Sequence, residues 1–161
     1  MKEKRSNSWW GVGAWLLVIV LHFLSILANT GAVAHVGAPP VGGIVVSGLL
    51  IALWLFLMVR AGWNGLWRTV VLAGAYWFVA MLFFDVIAPI WAGDSSVPGQ
   101  EIGVILAVAF SAPPYGVGYF ILPGAFVFPV SCLIVGVLCG AAYLLGCMLR
   151  WRRAKPDVDK H

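Results

Sequence analysis

The sequence predicts an all-α integral membrane protein in which four transmembrane helices form a bundle, with an extracytoplasmic cap between the third and fourth helices. Three observations lead to this fold class: the scarcity of charge, the length of the apolar runs, and the position of the basic residues. Of 161 residues, 62% are hydrophobic and 10% are charged, whereas about a quarter of a soluble domain is charged. Charge this sparse cannot cover a water-exposed surface, so we expect lipid to surround a single membrane domain over residues 1–161.

Four continuous apolar runs are long enough to cross a bilayer, since a helix needs about 20 residues to span a ~30 Å hydrocarbon core. We predict spans at about residues 9–29, 41–59, 67–91 and 129–149. Because these runs do not alternate with polar residues, they favour helices over a β-barrel. The first run also resembles a signal peptide with a cleavage site at Ala32-Val33-Ala34. It is longer than the roughly 7–15 residues of a signal core, so we expect a retained span, with cleavage as the alternative.

The basic residues indicate the orientation. The links 29–40 and 92–128 contain no Lys or Arg, and all ten basic residues flank the ends of the predicted spans: Lys2, Lys4, Arg5, Arg60, Arg68, Arg150, Arg152, Arg153, Lys155 and Lys160. Basic residues collect on the cytoplasmic side of a membrane. We therefore predict a multi-pass protein of the cell (inner) membrane with both termini and the tail 150–161 in the cytoplasm. The net charge of +4 indicates contact with anionic lipid headgroups, and no nucleic-acid partner is expected.

The segment 92–128 is the predicted outer cap. It is apolar enough for a fifth span, but a fifth span would move the basic tail to the outside. Pro113-Pro114 and Pro123 would also interrupt a single helix. We therefore expect a short helix at about 101–112 followed by a turn rich in glycine and proline, which lies on the outer surface or dips into the membrane as a re-entrant loop.

Within this segment, Gly116-Val117-Gly118-Tyr119 resembles the centre of a potassium-channel filter. The resemblance covers four residues and lacks both the preceding threonine and the following glycine. A flexible turn flanked by aromatic residues is therefore the prediction for this stretch.

The polar residues inside the predicted spans are the candidate functional residues. His22, Ser25 and Asn29 are spaced i, i+3, i+7, so they share one face of the first helix. Ser47 on the second helix and Asp85 on the third lie at overlapping depths in the outer half of the bundle. Two interpretations remain open. His22 and Asp85 form a buried polar clasp that fixes the helix register, or they handle a proton or cation, because histidine titrates near neutrality and ionisable groups in membranes are often functional.

The sequence favours no metal site, cofactor or catalytic centre. A metal site would draw on residues without diagnostic ligand spacing: His22, His35, Asp85, Asp94 and Glu101. The motifs H-E-x-x-H, G-x-S-x-G and G-x-x-x-x-G-K-[ST] are missing from the sequence, and these motifs provide metalloprotease, nucleophilic and ATP-driven chemistry. We therefore do not expect an enzyme.

Small residues indicate helix packing. Gly136 and Gly140 are four apart on the last helix, and Gly43 with Ser47 and Gly48 with Ala52 repeat the pattern on the second. We expect a non-catalytic accessory protein or complex subunit that acts through helix and loop contacts, with the bilayer and either itself or another membrane protein as partners. The alternative is a small oligomeric transporter or channel that uses Asp85 and His22 for protons or cations.

Overall fold

The computed structural model describes residues 3–35, 37–82, 100–121 and 127–154. These residues are helical apart from short links. In chain order the helices are α1 (Glu3–His35), α2 (Val41–Asn64), α3 (Trp67–Leu82), α4 (Gln100–Gly118) and α5 (Val127–Ala154). The all-α class predicted from the composition is therefore confirmed over the described part of the chain.

Three helices contain stretches long and apolar enough to cross a membrane: Val12–Val33, Val41–Asn64 and Val130–Arg153. Their mean hydropathies are 2.1, 2.5 and 2.4. Large apolar side chains such as Leu27 and Val137 are exposed on them, as expected for surfaces that face lipid. These features support a membrane protein. Helix α3 is a shorter apolar helix over its described residues, and residues 83–91 of the predicted third span lie outside the described part.

The turn between α2 and α3 is tight. Gly65 adopts a left-handed conformation with φ 71°, which glycine reaches without steric cost. The amide of Leu66 donates to the carbonyl of Ala61 at 2.9 Å, and the amide of Gly65 donates to that of Gly62 at 3.1 Å. This pair of bonds is a Schellman motif, so α2 continues to Asn64, beyond the predicted end of the hydrophobic span.

The closest approach between α2 and α5 occurs at two glycines. A Cβ atom on Gly62 would collide with the carbonyl of Tyr143, and a Cβ atom on Gly146 would collide with the carbonyl of Val59. The backbones therefore touch at these positions. Small residues permit this approach, which increases van der Waals contact between helices in lipid.

Helix α4 differs from the prediction. It continues through Pro113 and Pro114 to Gly118, whereas we expected a helix end near residue 112. The stretch that we predicted as a flexible turn at Gly116–Gly118 is therefore helical. Both prolines are buried here, Gly116 packs against α2, and the carbonyls of Ala112 and Pro113 accept hydrogen bonds from α1. Tertiary contacts of this kind override the local preference of proline.

The contacts of α4 show where it lies. The side chain of Asn29 on α1 reaches the carbonyl of Ala112, and the hydroxyl of Tyr115 reaches that of Ala32. Because the contact residue numbers increase together, α4 runs alongside α1 in the same direction. Within the predicted cap 92–128, α4 is thus a helix packed against α1 and α2.

An aromatic cluster fills the core between α1, α2 and α3. Trp54 lies 5.5 Å from Trp15, 5.9 Å from Tyr76 and 6.0 Å from Trp77, measured between ring centroids. Tyr76 and Trp77 are in turn 5.0 Å apart in an edge-to-face arrangement, which is favourable for aromatic pairs. This cluster holds α1, α2 and α3 together at mid-length.

Candidate functional site

A buried polar cluster joins α1, α2 and α4. It consists of Ser25, Asn29 and Ser47, whose side chains are all 0% exposed. The side-chain amide of Asn29 donates to Ser47 Oγ at 2.9 Å, and the two serine hydroxyls are 3.0 Å apart. The structure thus brings together three of the five residues that the sequence selected as pathway candidates.

Helix α4 completes this cluster with backbone carbonyls. Asn29 donates to the carbonyl of Ala112 at 3.1 Å, and Ser25 Oγ donates to that of Pro113 at 3.3 Å. A carbonyl oxygen has two lone pairs and can accept such a bond in addition to its helix bond. Every residue of the cluster therefore donates to or accepts from another helix, as buried polar groups in lipid require.

Two glycines make room for the cluster. A Cβ on Gly116 would lie 2.7 Å from both Ser47 Oγ and the carbonyl oxygen of Gly43. A Cβ on Gly43 would collide with Asn29 Oδ1, which has no hydrogen-bond donor among the described residues. Any larger side chain at either glycine would displace the polar groups, so the cluster depends on close contact between backbones.

His22 lies one helical turn before Ser25 and has different partners. Its Nε2 is 3.1 Å from the hydroxyl of Tyr76 on α3, and the backbone of Ala109 on α4 lies close to its ring. Pro113 has no amide hydrogen for the carbonyl of Ala109, which leaves that carbonyl available to His22. The predicted partner Asp85 lies outside the described residues, and within them Tyr76 is the side-chain partner of His22.

Chemically, the arrangement is suited to holding helices together. The three residues of the polar cluster are shielded from any solute, and their hydrogen bonds are directed at one another and at α4. No group of three or more His, Cys, Asp and Glu side chains in the described part of the chain could hold a metal ion. The side chains of His35, Asp85, Asp94 and Glu101 fall outside that part.

The predicted packing glycines lie in different surroundings. A Cβ on Gly136 would be 3.4 Å from the Cβ of Trp77 on α3, an ordinary contact, whereas a Cβ on Gly140 would meet no atom within 4 Å. The close helix contact of α5 is one to two turns further along, at Gly146. The spacing alone does not reveal which small residue faces a neighbouring helix.

The sequence analysis missed Tyr76 and the carbonyls of α4. Tyr115 also escaped it, although its hydroxyl donates to the carbonyl of Gly37 at 2.7 Å and ties α4 to the link after α1. One signal was available: two consecutive prolines in an apolar segment leave carbonyls without helix donors, so polar side chains on neighbouring helices are expected to approach them.

Comparison with known proteins gives no match: no family model fits the chain, and no curated protein or solved structure resembles it significantly.

Proposed function

We propose that this chain is a non-catalytic, multi-pass protein of the cell membrane that serves as a small accessory protein or complex subunit. In this proposal four spans form a bundle, both termini are cytoplasmic, and partners bind through helix and loop contacts. The observation that supports it best is the closed polar cluster of Ser25, Asn29 and Ser47. Side chains that line a solute pathway need access to that solute, whereas these three side chains are fully buried and bonded to one another and to α4.

The outer face of α2 is the proposed contact surface for a partner helix. The two small-residue patterns of α2 have different environments: Gly43 and Ser47 are buried, whereas Ala52 is exposed and a Cβ on Gly48 would meet no atom of the described residues within 4 Å. Small residues let two helices approach closely in lipid. The Gly48 face is thus available for another membrane protein or a second copy of this chain.

Native mass spectrometry of the gently extracted protein tests this proposal. The chain should appear in a complex of defined mass, and Gly48→Leu should shift it to the monomer because the larger side chain blocks close helix approach. The matched control is Gly74→Leu, since an added Cβ on Gly74 of α3 would also meet no described atom within 4 Å, but Gly74 lies on another helix. If the parent chain appears only as a monomer, or if both variants lose the complex to the same extent, the proposal is contradicted.

The pathway alternative makes a different prediction. A transporter or channel that uses His22 and Asp85 should lose proton or cation flux in liposomes when Asp85 becomes Asn, with the fold intact. The observation that favours this alternative is the position of His22, which is partly buried and lines an open crevice between α1 and α3. If the parent conducts protons or cations and Asp85→Asn abolishes that flux, the transporter or channel function replaces the accessory function.

A further inference from the structure

The helices α1 and α3 leave a crevice between them. Their backbones stay more than 8 Å apart over the described residues, although the side chains of His22 and Tyr76 meet across the gap. The central part of this crevice has a volume of about 390 Å³ and is lined almost entirely by apolar and aromatic side chains: Val18, Ile19, Phe23, Trp54 and Leu72 are among them. The crevice is open at the surface of the protein, since Ile19 in its wall is 50% exposed.

A second cavity continues the crevice towards the turn between α2 and α3. It has a volume of about 230 Å³ and contains the polar side chains of Arg60, Asn64 and Thr69. Trp15 lines both cavities. From Asn64 to Trp54 the crevice follows ten residues of α2, which corresponds to about 15 Å. A polar, basic cavity and an apolar cavity therefore follow one another along α2, with Trp15 in the wall of both.

The charge around the polar end is positive. The guanidinium of Arg153 lies 4.8 Å from the ring of Trp63, and that of Arg68 lies 5.8 Å from the ring of Trp67. A Cβ on Gly65 would lie 2.5 Å from Arg150 Nη1, so a third arginine reaches the turn. The sequence between residues 4 and 84 contains no Asp or Glu. This end of the molecule is thus complementary to an anion.

We propose that the crevice is a binding site for one anionic phospholipid. The phosphate is bound by Arg60, with Asn64 and Thr69 beside it, and one acyl chain extends past Trp15 between α1 and α3 towards Tyr76. Arginine binds phosphate through two parallel hydrogen bonds, and basic pockets at the ends of membrane helices bind anionic headgroups. A free phosphate would use the same polar end, but it would leave the apolar channel without a ligand.

Lipid titrations followed by native mass spectrometry test the headgroup site. The probes are dioleoyl phosphatidylglycerol and dioleoyl phosphatidylcholine, which share their acyl chains. The parent should bind one phosphatidylglycerol about tenfold more tightly than phosphatidylcholine, and Arg60→Gln should remove this preference. The matched control is Arg152→Gln, an exposed arginine in the last turn of α5 that should leave the preference unchanged. Equal binding of both lipids by the parent, or equal effects of both variants, would show diffuse surface attraction and overturn the proposal.

The acyl-chain site has its own matched pair. Ile19→Trp should fill the channel and weaken phosphatidylglycerol binding several-fold, whereas Leu24→Trp, at a similarly exposed position of α1 outside the channel, should not. Glycerol 1-phosphate should fail to displace the lipid at millimolar concentration. Unchanged binding in Ile19→Trp, or displacement by glycerol 1-phosphate, would overturn the lipid assignment. If Arg60→Gln does not fold, the tryptophan pair and the comparison of the two lipids in the parent decide the question.

Discussion

Asn29 connects the three helices of the polar cluster. Its amide bonds Ser47 on α2 and the carbonyl of Ala112 on α4, while its own backbone belongs to α1. A buried carbonyl or hydroxyl that loses such a donor keeps its desolvation cost. The contribution of Asn29 to stability therefore comes from satisfying groups on two other helices, α2 and α4, at once.

Replacing Asn29 by leucine should destabilise the fold. Asn29 makes two hydrogen bonds to other helices, and each such bond contributes less than about 2 kcal/mol. We therefore expect the free energy of unfolding to fall by about 1–2 kcal/mol. Unfolding in mixed micelles with increasing dodecyl sulfate measures the change. Thr30→Val is the matched control, because Thr30 is exposed and its hydroxyl donates within its own helix, to the carbonyl of Ile26. Equal losses in the two variants would contradict the role of the cluster.

The contact between His22 and Tyr76 can be tested by its energy. A double-mutant cycle with His22→Ala and Tyr76→Phe should show a coupling of about 0.5–1 kcal/mol, because residues in contact do not contribute additively. The same cycle with Asp85→Asn tests the pair that the sequence predicted. Coupling of His22 to Tyr76 without coupling to Asp85 would mean that Asp85 is not the partner of His22. Additive losses for His22→Ala and Tyr76→Phe would contradict the contact between His22 and Tyr76.

At the scale of single helices, packing depends on which glycine meets a neighbour. Gly62 and Gly146 face backbone atoms of the opposite helix, whereas Gly140 faces open space. All of these glycines lie within helices, where glycine costs about 1 kcal/mol relative to alanine. Its presence at Gly62 and Gly146 is explained by the close contact between α2 and α5.

Alanine substitutions on α5 should therefore have opposite effects. Gly146→Ala adds a methyl group that collides with the carbonyl of Val59, and we expect a loss of about 1–3 kcal/mol from overpacking. Gly140→Ala should be neutral or stabilising by up to about 1 kcal/mol, since it gains helix propensity without a collision. Thermal unfolding of both variants in the same detergent checks this. A greater loss for Gly140→Ala would contradict the packing of α2 against α5.

Helix α4 shows how a local rule fails within a protein core. Proline interrupts isolated helices because it removes an amide hydrogen and crowds the preceding turn. In α4 the backbone of Ala109, four residues before Pro113, lies close to the ring of His22, which places a polar group beside the missing helix bond. The local cost of proline is therefore reduced by a residue on another helix.

At the scale of the whole molecule, the basic ends of the helices meet. The contact between Arg153 of α5 and Trp63 of α2 places the end of α5 beside the α2–α3 turn. The two regions thus lie at the same end of the molecule, although they are far apart in the sequence. This arrangement agrees with a single basic side, and the predicted orientation assigns that side to the cytoplasm.

The orientation can be measured directly. A reporter fused after His161 should show a cytoplasmic location, and cysteines introduced at Ser95 or Ser96 should react with a membrane-impermeant reagent from outside. A cysteine at Asn64, the last residue of α2, should be protected in intact cells and react after permeabilisation. External labelling of Asn64 or of the tail 154–161 would contradict the predicted topology.

The sequence by itself determined the helical class, the approximate position of the apolar spans and the shared face of His22, Ser25 and Asn29. These properties are local, because hydrophobic length and helical spacing can be measured along one segment. Only the tertiary structure decided that Asn29 bonds Ser47 and the carbonyl of Ala112, that Tyr76 contacts His22, and that Gly146 packs where Gly140 does not. Those partners depend on which helices are adjacent, on their rotation and on their relative depth, and a single helix contains no information about these three quantities.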